Sequence, residues 1–181
     1  AGFLFGPTAV IGEAIGPAYL QFGRGLGAHA AAFATGLIFI GWGISGPLSG
    51  WLSDKMGRRK PLMIISAVFG IIFTTLFVFT PTLGQNSAYL LFFLFGLTNT
   101  GVAIAYAVST EIHDRNVIGT SIAFTNMISI FVGALMQPLV GRLVDMVSGA
   151  RAYNVETLLL SDFQAGLKLL PVCSVIALIL A

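Results

Sequence analysis

The sequence predicts an all-α integral membrane protein with six transmembrane helices, and three observations carry that prediction. Charge is scarce: nine basic and seven acidic side chains make up 9% of the chain, against roughly 25% in an ordinary soluble domain. Hydrophobic residues make up 56%, so a soluble fold would lack a polar surface. The charges are also clustered, and Pro61–Thr80, Ser87–Thr110 and Val117–Gly141 contain none. Each run is long enough for a hydrocarbon layer of roughly 30 Å, which takes about 20 helical residues. Finally, the runs are apolar on nearly all sides. A lipid core leaves helices or closed barrels as the only spanning structures, and barrel strands alternate in polarity.

Taken in order, the spans fall at approximately Gly2–Phe22, Ala28–Ser53, Pro61–Thr80, Ser87–Thr110, Ile118–Val140 and Phe163–Ala181. The connections are Gly23–Gly27, Asp54–Lys60, Pro81–Asn86, Glu111–Val117 and a longer Gly141–Asp162. The longest carries Arg142, Asp145, Arg151, Glu156 and Asp162, and a short surface helix is expected there. There is no sign of a soluble domain. The chain starts without methionine inside apolar sequence and stops on Ile-Ala-Leu-Ile-Leu-Ala, so it reads as a piece of a longer protein. The second-to-third and fourth-to-fifth connections share one side, with Lys55, Arg58, Arg59, Lys60 and Arg115. The other side has Arg24, Arg142, Arg151 and Lys168. Four cations concentrated in one short loop make the first side cytoplasmic by the positive-inside rule.

Several functions are disfavoured early. Cys173 is the sole cysteine, so no internal disulfide forms and a thiol metal site is not expected. A net charge of +2 gives no reason to expect nucleic acid. No residue pattern calls for a cofactor or a metal.

The most informative stretch is Gly50-Trp51-Leu52-Ser53-Asp54-Lys55-Met56-Gly57-Arg58-Arg59-Lys60. A tight turn between spanning helices needs glycine. Asp54 falls at a helix end beside arginines that can hold it by charge-assisted bonds. This loop resembles the signature of the major facilitator superfamily, Gly-x-Leu-(Ser/Ala)-Asp-(Lys/Arg)-x-Gly-Arg-(Arg/Lys), which Gly50–Arg59 matches throughout. The resemblance implies one six-helix half of a twelve-helix transporter, with the other half as partner. It also implies a cytoplasmic latch made by Gly50, Asp54, Gly57, Arg58 and Arg59, joined by Glu111 at the end of the fourth span and by Arg115 after it. The fifth span reads Gly133-Ala134-Leu135-Met136-Gln137-Pro138-Leu139-Val140-Gly141, which departs from the Gly-Pro-Gly-Gly pattern of N-terminal halves of antiporters. The C-terminal half is therefore the expectation, in a bacterial inner membrane.

Glu13 is the only charge in the first span. About eight residues, or about 12 Å of helix rise, separate it from Gln21, so it falls near mid-membrane. Intramembrane carboxylates are costly and mark ion or substrate pathways by default. Pro17 cannot donate to the Glu13 carbonyl, and Gly12 and Gly16 favour an irregular helix there. Polar residues also form stripes at helical spacing: Thr35, Trp42, Ser45 and Ser49; Asn99 and Tyr106; Asn126, Ser129, Gly133 and Gln137. The third span offers mainly Thr74 and Thr75, and the sixth only Ser174. In the resembled family the first, second, fourth and fifth helices border the cavity. The expected proton or substrate site is thus Glu13, Trp42, Asn99, Tyr106, Asn126 and Gln137. Glycines 36, 43, 46 and 50 make a smooth stripe suited to close helix packing, and His29 and His113 fall in connections.

The sequence points to a proton-coupled symporter of a small polar solute working by alternating access, with a drug–proton antiporter as the alternative. An enzyme is disfavoured. Gly43-Ile44-Ser45-Gly46 looks like the serine motif of six-helix intramembrane proteases, but that chemistry needs a histidine base within reach, and the third, fifth and sixth spans contain none.

Overall fold

The computed structural model describes residues 1–181, and its regular structure is entirely helical. Five helical segments are long and apolar enough to cross a membrane, and the first segment makes a sixth when its two bent limbs are taken as one crossing. That first segment is α1 (Gly2–Thr8), a π-helical stretch (Ala9–Ala14), α2 (Gly16–Ala18) and a second π-helical stretch (Tyr19–Gly23). Then come α3 (Ala28–Met56), α4 (Lys60–Phe79), α5 (Gln85–Thr98), α6 (Gly101–Glu111), α7 (Ile118–Ser148), α8 (Leu160–Leu167) and α9 (Leu169–Leu180).

The principal pairs are α3 against α5, α1 against α7, and α4 against α9. The core joins Val10, Ile11, Tyr19 and Leu20 of the first segment to Ile38, Phe77, Phe92, Phe95 and Leu167. Phe77 packs on Phe92 and Phe95 at ring distances of 4.7 and 5.1 Å. The outward row of α4, Ile65, Phe69, Ile72, Leu76 and Phe79, is exposed and wholly apolar, the surface a helix presents to lipid.

Two spans are broken. The first bends by 60° between Ala14 and Gly16. A Cβ on Gly16 would sit 1.8 Å from the Ile11 carbonyl oxygen and 2.8 Å from Thr35 Cγ2, so the bend admits only glycine. Backbone bonds shift to wider π spacing before it: Ile15 N–H donates to Val10 O at 2.8 Å, and such π turns are frequent at functional sites. The fourth span, expected to be continuous from Ser87 to Thr110, divides at Asn99 and Thr100, where Asn99 leaves the helical region with ψ 39°. Ser66 Oγ of α4 accepts from the freed Gly101 N–H at 3.0 Å. The Asn99 amide donates to Thr8 Oγ1, which ties the fourth-span break to the start of the first span's π-helical stretch.

Other differences from the sequence reading lie at ends. The fifth span does not stop at Val140: α7 continues to Ser148, because Val144 and Ser148 stay buried while Arg142 and Asp145 face outward. The long connection contains 3₁₀ turns at Gly149–Tyr153 and Val155–Thr157 in place of a surface α-helix. Its anchor is Asp162, fully buried, which accepts from Arg151 Nη2 at 2.8 Å and from Leu159 N–H at 2.9 Å. The far end of α4 is capped by side chains from two other spans. Arg24 donates to Phe77 O (2.9 Å), Thr80 O (2.6 Å) and Pro81 O (3.2 Å); Tyr19 OH also donates to Phe77 O, and Gln164 donates to Val78 O at 2.6 Å. These bonds occupy carbonyls that a helix C-terminus leaves without intrahelical partners.

Candidate functional site

The irregular first span places Glu13 inside its π-helical stretch, with its side chain exposed. Three ion pairs form in the chain, Arg59–Asp54, Arg59–Glu111 and Arg151–Asp162, and Glu13 is in none of them. It lines an open cleft of about 310 Å³ with Phe5, Ala9, Ile130, Ala134 and Gln137. Gln137 reaches across from α7, and its Nε2 donates to Ala9 O at 3.2 Å. Ala9 opens the π-helical stretch, so the glutamine supports the distorted backbone, and its amide oxygen accepts no hydrogen bond within the chain. The cleft therefore combines one carboxylate, one amide and apolar walls.

Phe5 links this cleft to a second group. Its ring lies 6.2 Å from that of Trp42, and Trp42 and Tyr106 pack on the same small cluster around Leu4 and Val102. Tyr106 OH donates to Asn126 Oδ1 at 2.8 Å across the α6–α7 pair. Glu13, Gln137, Trp42, Tyr106 and Asn126 thus belong to connected surfaces on the first, second, fourth and fifth spans.

Other sequence-predicted polar residues have different surroundings. Asn99 is buried, with its amide donating to Thr8, and it is not brought to the cleft. Thr35, Ser45 and Ser49 are buried, and their hydroxyls donate to carbonyls one turn back, Ala32 O at 2.9 Å, Gly41 O at 2.8 Å and Gly46 O at 2.9 Å. Ser129 does the same to Thr125 O at 2.7 Å, and Gly133 lies buried against Ala9 and Phe5. Such hydroxyls need no solute to be satisfied. Sequence reasoning passed over Phe5, Ala9 and Thr8, whose only signal was their position within eight residues of Glu13. His113 accounts for itself locally: its Nδ1 is 2.9 Å from Ser109 O and 3.1 Å from Ser121 Oγ. His29, read from the sequence as falling in a connection, is exposed in the first turn of α3.

At the other end of the bundle, α3 stops at Gly57, whose φ of +61° lies in the left-handed region that glycine enters without a Cβ penalty. The reversal delivers Arg59 between two carboxylates. Arg59 Nη1 meets Asp54 Oδ1 at 2.6 Å, while Nη2 and Nε reach Glu111 Oε1 at 2.5 and 3.0 Å. The bond to Glu111 first, then the one to Asp54, holds the Arg59 guanidinium above its ordinary pKa. Of the expected latch, Asp54, Arg59 and Glu111 come together, whereas Arg58 and Arg115 are exposed and in none of the ion pairs. Gly50 sits half-buried on α3, with no other atom within 4 Å of where a Cβ would lie.

Comparison with known proteins gives the following matches. The sequence profile of the Major Facilitator Superfamily matches residues 1–129. The chain is 31% identical over 122 residues to the inner membrane metabolite transport protein YhjE of Escherichia coli, covering 65% of this chain and 27% of that protein. It is also 31% identical over 147 residues to the uncharacterized MFS-type transporter YcxA of Bacillus subtilis, covering 78% of this chain and 34% of that one. The chain thus spans about a third of the curated relatives it matches. No solved structure matches.

Proposed function

The chain belongs to the major facilitator superfamily, and from that premise we propose that it is the C-terminal six-helix half of a proton-coupled transporter of a small solute. The other half, the solute and protons are its partners, and a bacterial inner membrane is its setting. Both relatives are bacterial, and the printed name of one places that relative in the inner membrane. The mechanism is alternating access, in which two halves rock about a site near mid-membrane.

The observation that carries this reading is Glu13. It is a lone carboxylate in an otherwise apolar span, on a π-helical stretch beside a 60° bend, open to a cleft shared with Gln137. An intramembrane carboxylate without a structural cation marks a transport pathway. In this scheme Glu13 takes up and releases the proton. Trp42 and Phe5 supply an apolar wall, and Tyr106, Asn126 and Gln137 supply hydrogen bonds to solute. Asn99 and Thr8 tie the fourth-span break to the start of the first span's π-helical stretch. Asp54, Arg59 and Glu111 favour one of the two end states from the cytoplasmic side.

Glu13→Gln in the intact transporter tests this directly. Proton-driven accumulation in proteoliposomes should be lost, while solute exchange without a gradient survives. Full accumulation with an unchanged pH profile would remove the proton role. Loss of exchange as well would make Glu13 a contact for a cationic solute.

A further inference from the structure

We propose that the cytoplasmic end of α4 binds the phosphate of an anionic phospholipid, held by Arg58 and Lys60, with an acyl chain along the outer row of the helix. A recess of about 600 Å³ opens there, lined by Arg58, Arg59, Lys60, Pro61, Ile64 and Ile65. Its three cations are not equivalent. Arg59 is committed to Asp54 and Glu111. Arg58 and Lys60 are exposed and take part in none of the ion pairs. The nearby carboxylates are already spent on Arg59, so the recess keeps two uncompensated positive charges.

The recess also sits where a membrane surface belongs. Trp51, 58% exposed, carries the Lys55 ammonium 5.1 Å from its ring centre, the kind of amphipathic aromatic that settles at headgroup level. Below the cations, Ile65, Phe69, Ile72, Leu76 and Phe79 follow one another at helical spacing on the exposed side of α4. A soluble phosphate would use the cations and have no need of this row. A lipid uses both: the phosphate pairs with the guanidinium and ammonium, and the chain covers the apolar side chains. Basic groups at the cytoplasmic surface attract anionic headgroups in this way. The site is separate from the Glu13 cleft, so it does not depend on the transported solute.

Native mass spectrometry of the intact transporter, titrated with phosphatidylglycerol against phosphatidylcholine, reads the site. Each cation removed should weaken phosphatidylglycerol binding about fivefold (about 1 kcal/mol). Arg58→Gln/Lys60→Gln together should therefore lose about 25-fold. The charge-keeping pair Arg58→Lys/Lys60→Arg should retain binding, and Arg142→Gln, on the opposite side, should be neutral. If the double variant is not monodisperse, the two single variants carry the test at about fivefold each. Unchanged phosphatidylglycerol affinity without these cations overturns the proposal, as does an equal loss in Arg142→Gln. Displacement of the lipid by millimolar glycerol 3-phosphate overturns it too, because it shows a site for a soluble anion.

Discussion

Gly96→Ala offers the most direct measure of how this bundle is built. Spans two and four cross with backbone against backbone. A Cβ on Gly96 would lie 2.1 Å from Ile38 O, and one on Gly41 would lie 2.6 Å from Phe93 O. Ordinary contact for a Cβ begins at 3.4 Å, so an alanine at 96 needs the helices to separate by 1.3 Å, the difference between 3.4 and 2.1. The atom struck is a backbone oxygen inside α3 and cannot rotate away. Overpacking of this kind costs roughly 1–3 kcal/mol or more, and backbone clashes belong at the upper end. Alanine recovers about 1 kcal/mol through helix propensity, which leaves a net loss of about 2 kcal/mol. The intact transporter is roughly two to three times this length by its relatives, so at about 2.1 cal/mol/K per residue the melting temperature should fall by about 2 °C. Thermal unfolding of the intact transporter, followed by size-exclusion fluorescence, measures it. Gly43→Ala, on α3 beside Gly41, has nothing within 4 Å and separates this crossing from contacts made by the rest of the transporter. A Gly96→Ala protein melting within about 1 °C of the parent would refute the crossing.

Two further outcomes follow from the Asp54–Arg59–Glu111 cluster and the helix path. Asp54→Asn should shift the balance between inward- and outward-facing states by no more than about fivefold, because Asp54 is 68% exposed and such pairs contribute roughly 0.2–1 kcal/mol. Solute affinity in a trapped conformation should barely move, and loss of binding in every conformation would contradict a latch role. Single cysteines at Lys55 and Gln85 should label from opposite faces of the membrane, and labelling from the same face would reject the six-span path.

Much of the fold was legible because lipid imposes a severe rule: backbone polar groups must be paired inside the segment, so long uncharged runs become helices. The disturbed first span was readable too, since Gly12, Glu13, Gly16 and Pro17 each weaken a regular helix at one place. The Asp54–Gly57–Arg59 turn could be anticipated because glycine, carboxylate and guanidinium have few ways to combine in so short a loop. The polar stripes were harder. Spacing put Thr35, Ser45 and Ser49 on one face, but a hydroxyl in a membrane helix can satisfy itself on its own backbone, and all three do. Asn99, expected at the solute site, is buried and donates its amide to Thr8 at the start of the first span's π-helical stretch.

The sequence by itself determined that this is a helical membrane bundle and roughly where most of its spans run, and it singled out Glu13 as the only charge of the first one. Those properties follow from composition and local chemistry. Only the tertiary structure decided how each helix is rotated, because a helix that is apolar all round carries little information about which side meets a neighbour. Rotation was set by contacts between distant residues: Gly41 and Gly96 fitting backbone to backbone, Gln137 reaching Ala9 O, and Arg24 closing the end of α4. The same contacts brought Gln137 beside Glu13 and left Asn99 elsewhere, since close packing fixes position to a fraction of the width of a side chain.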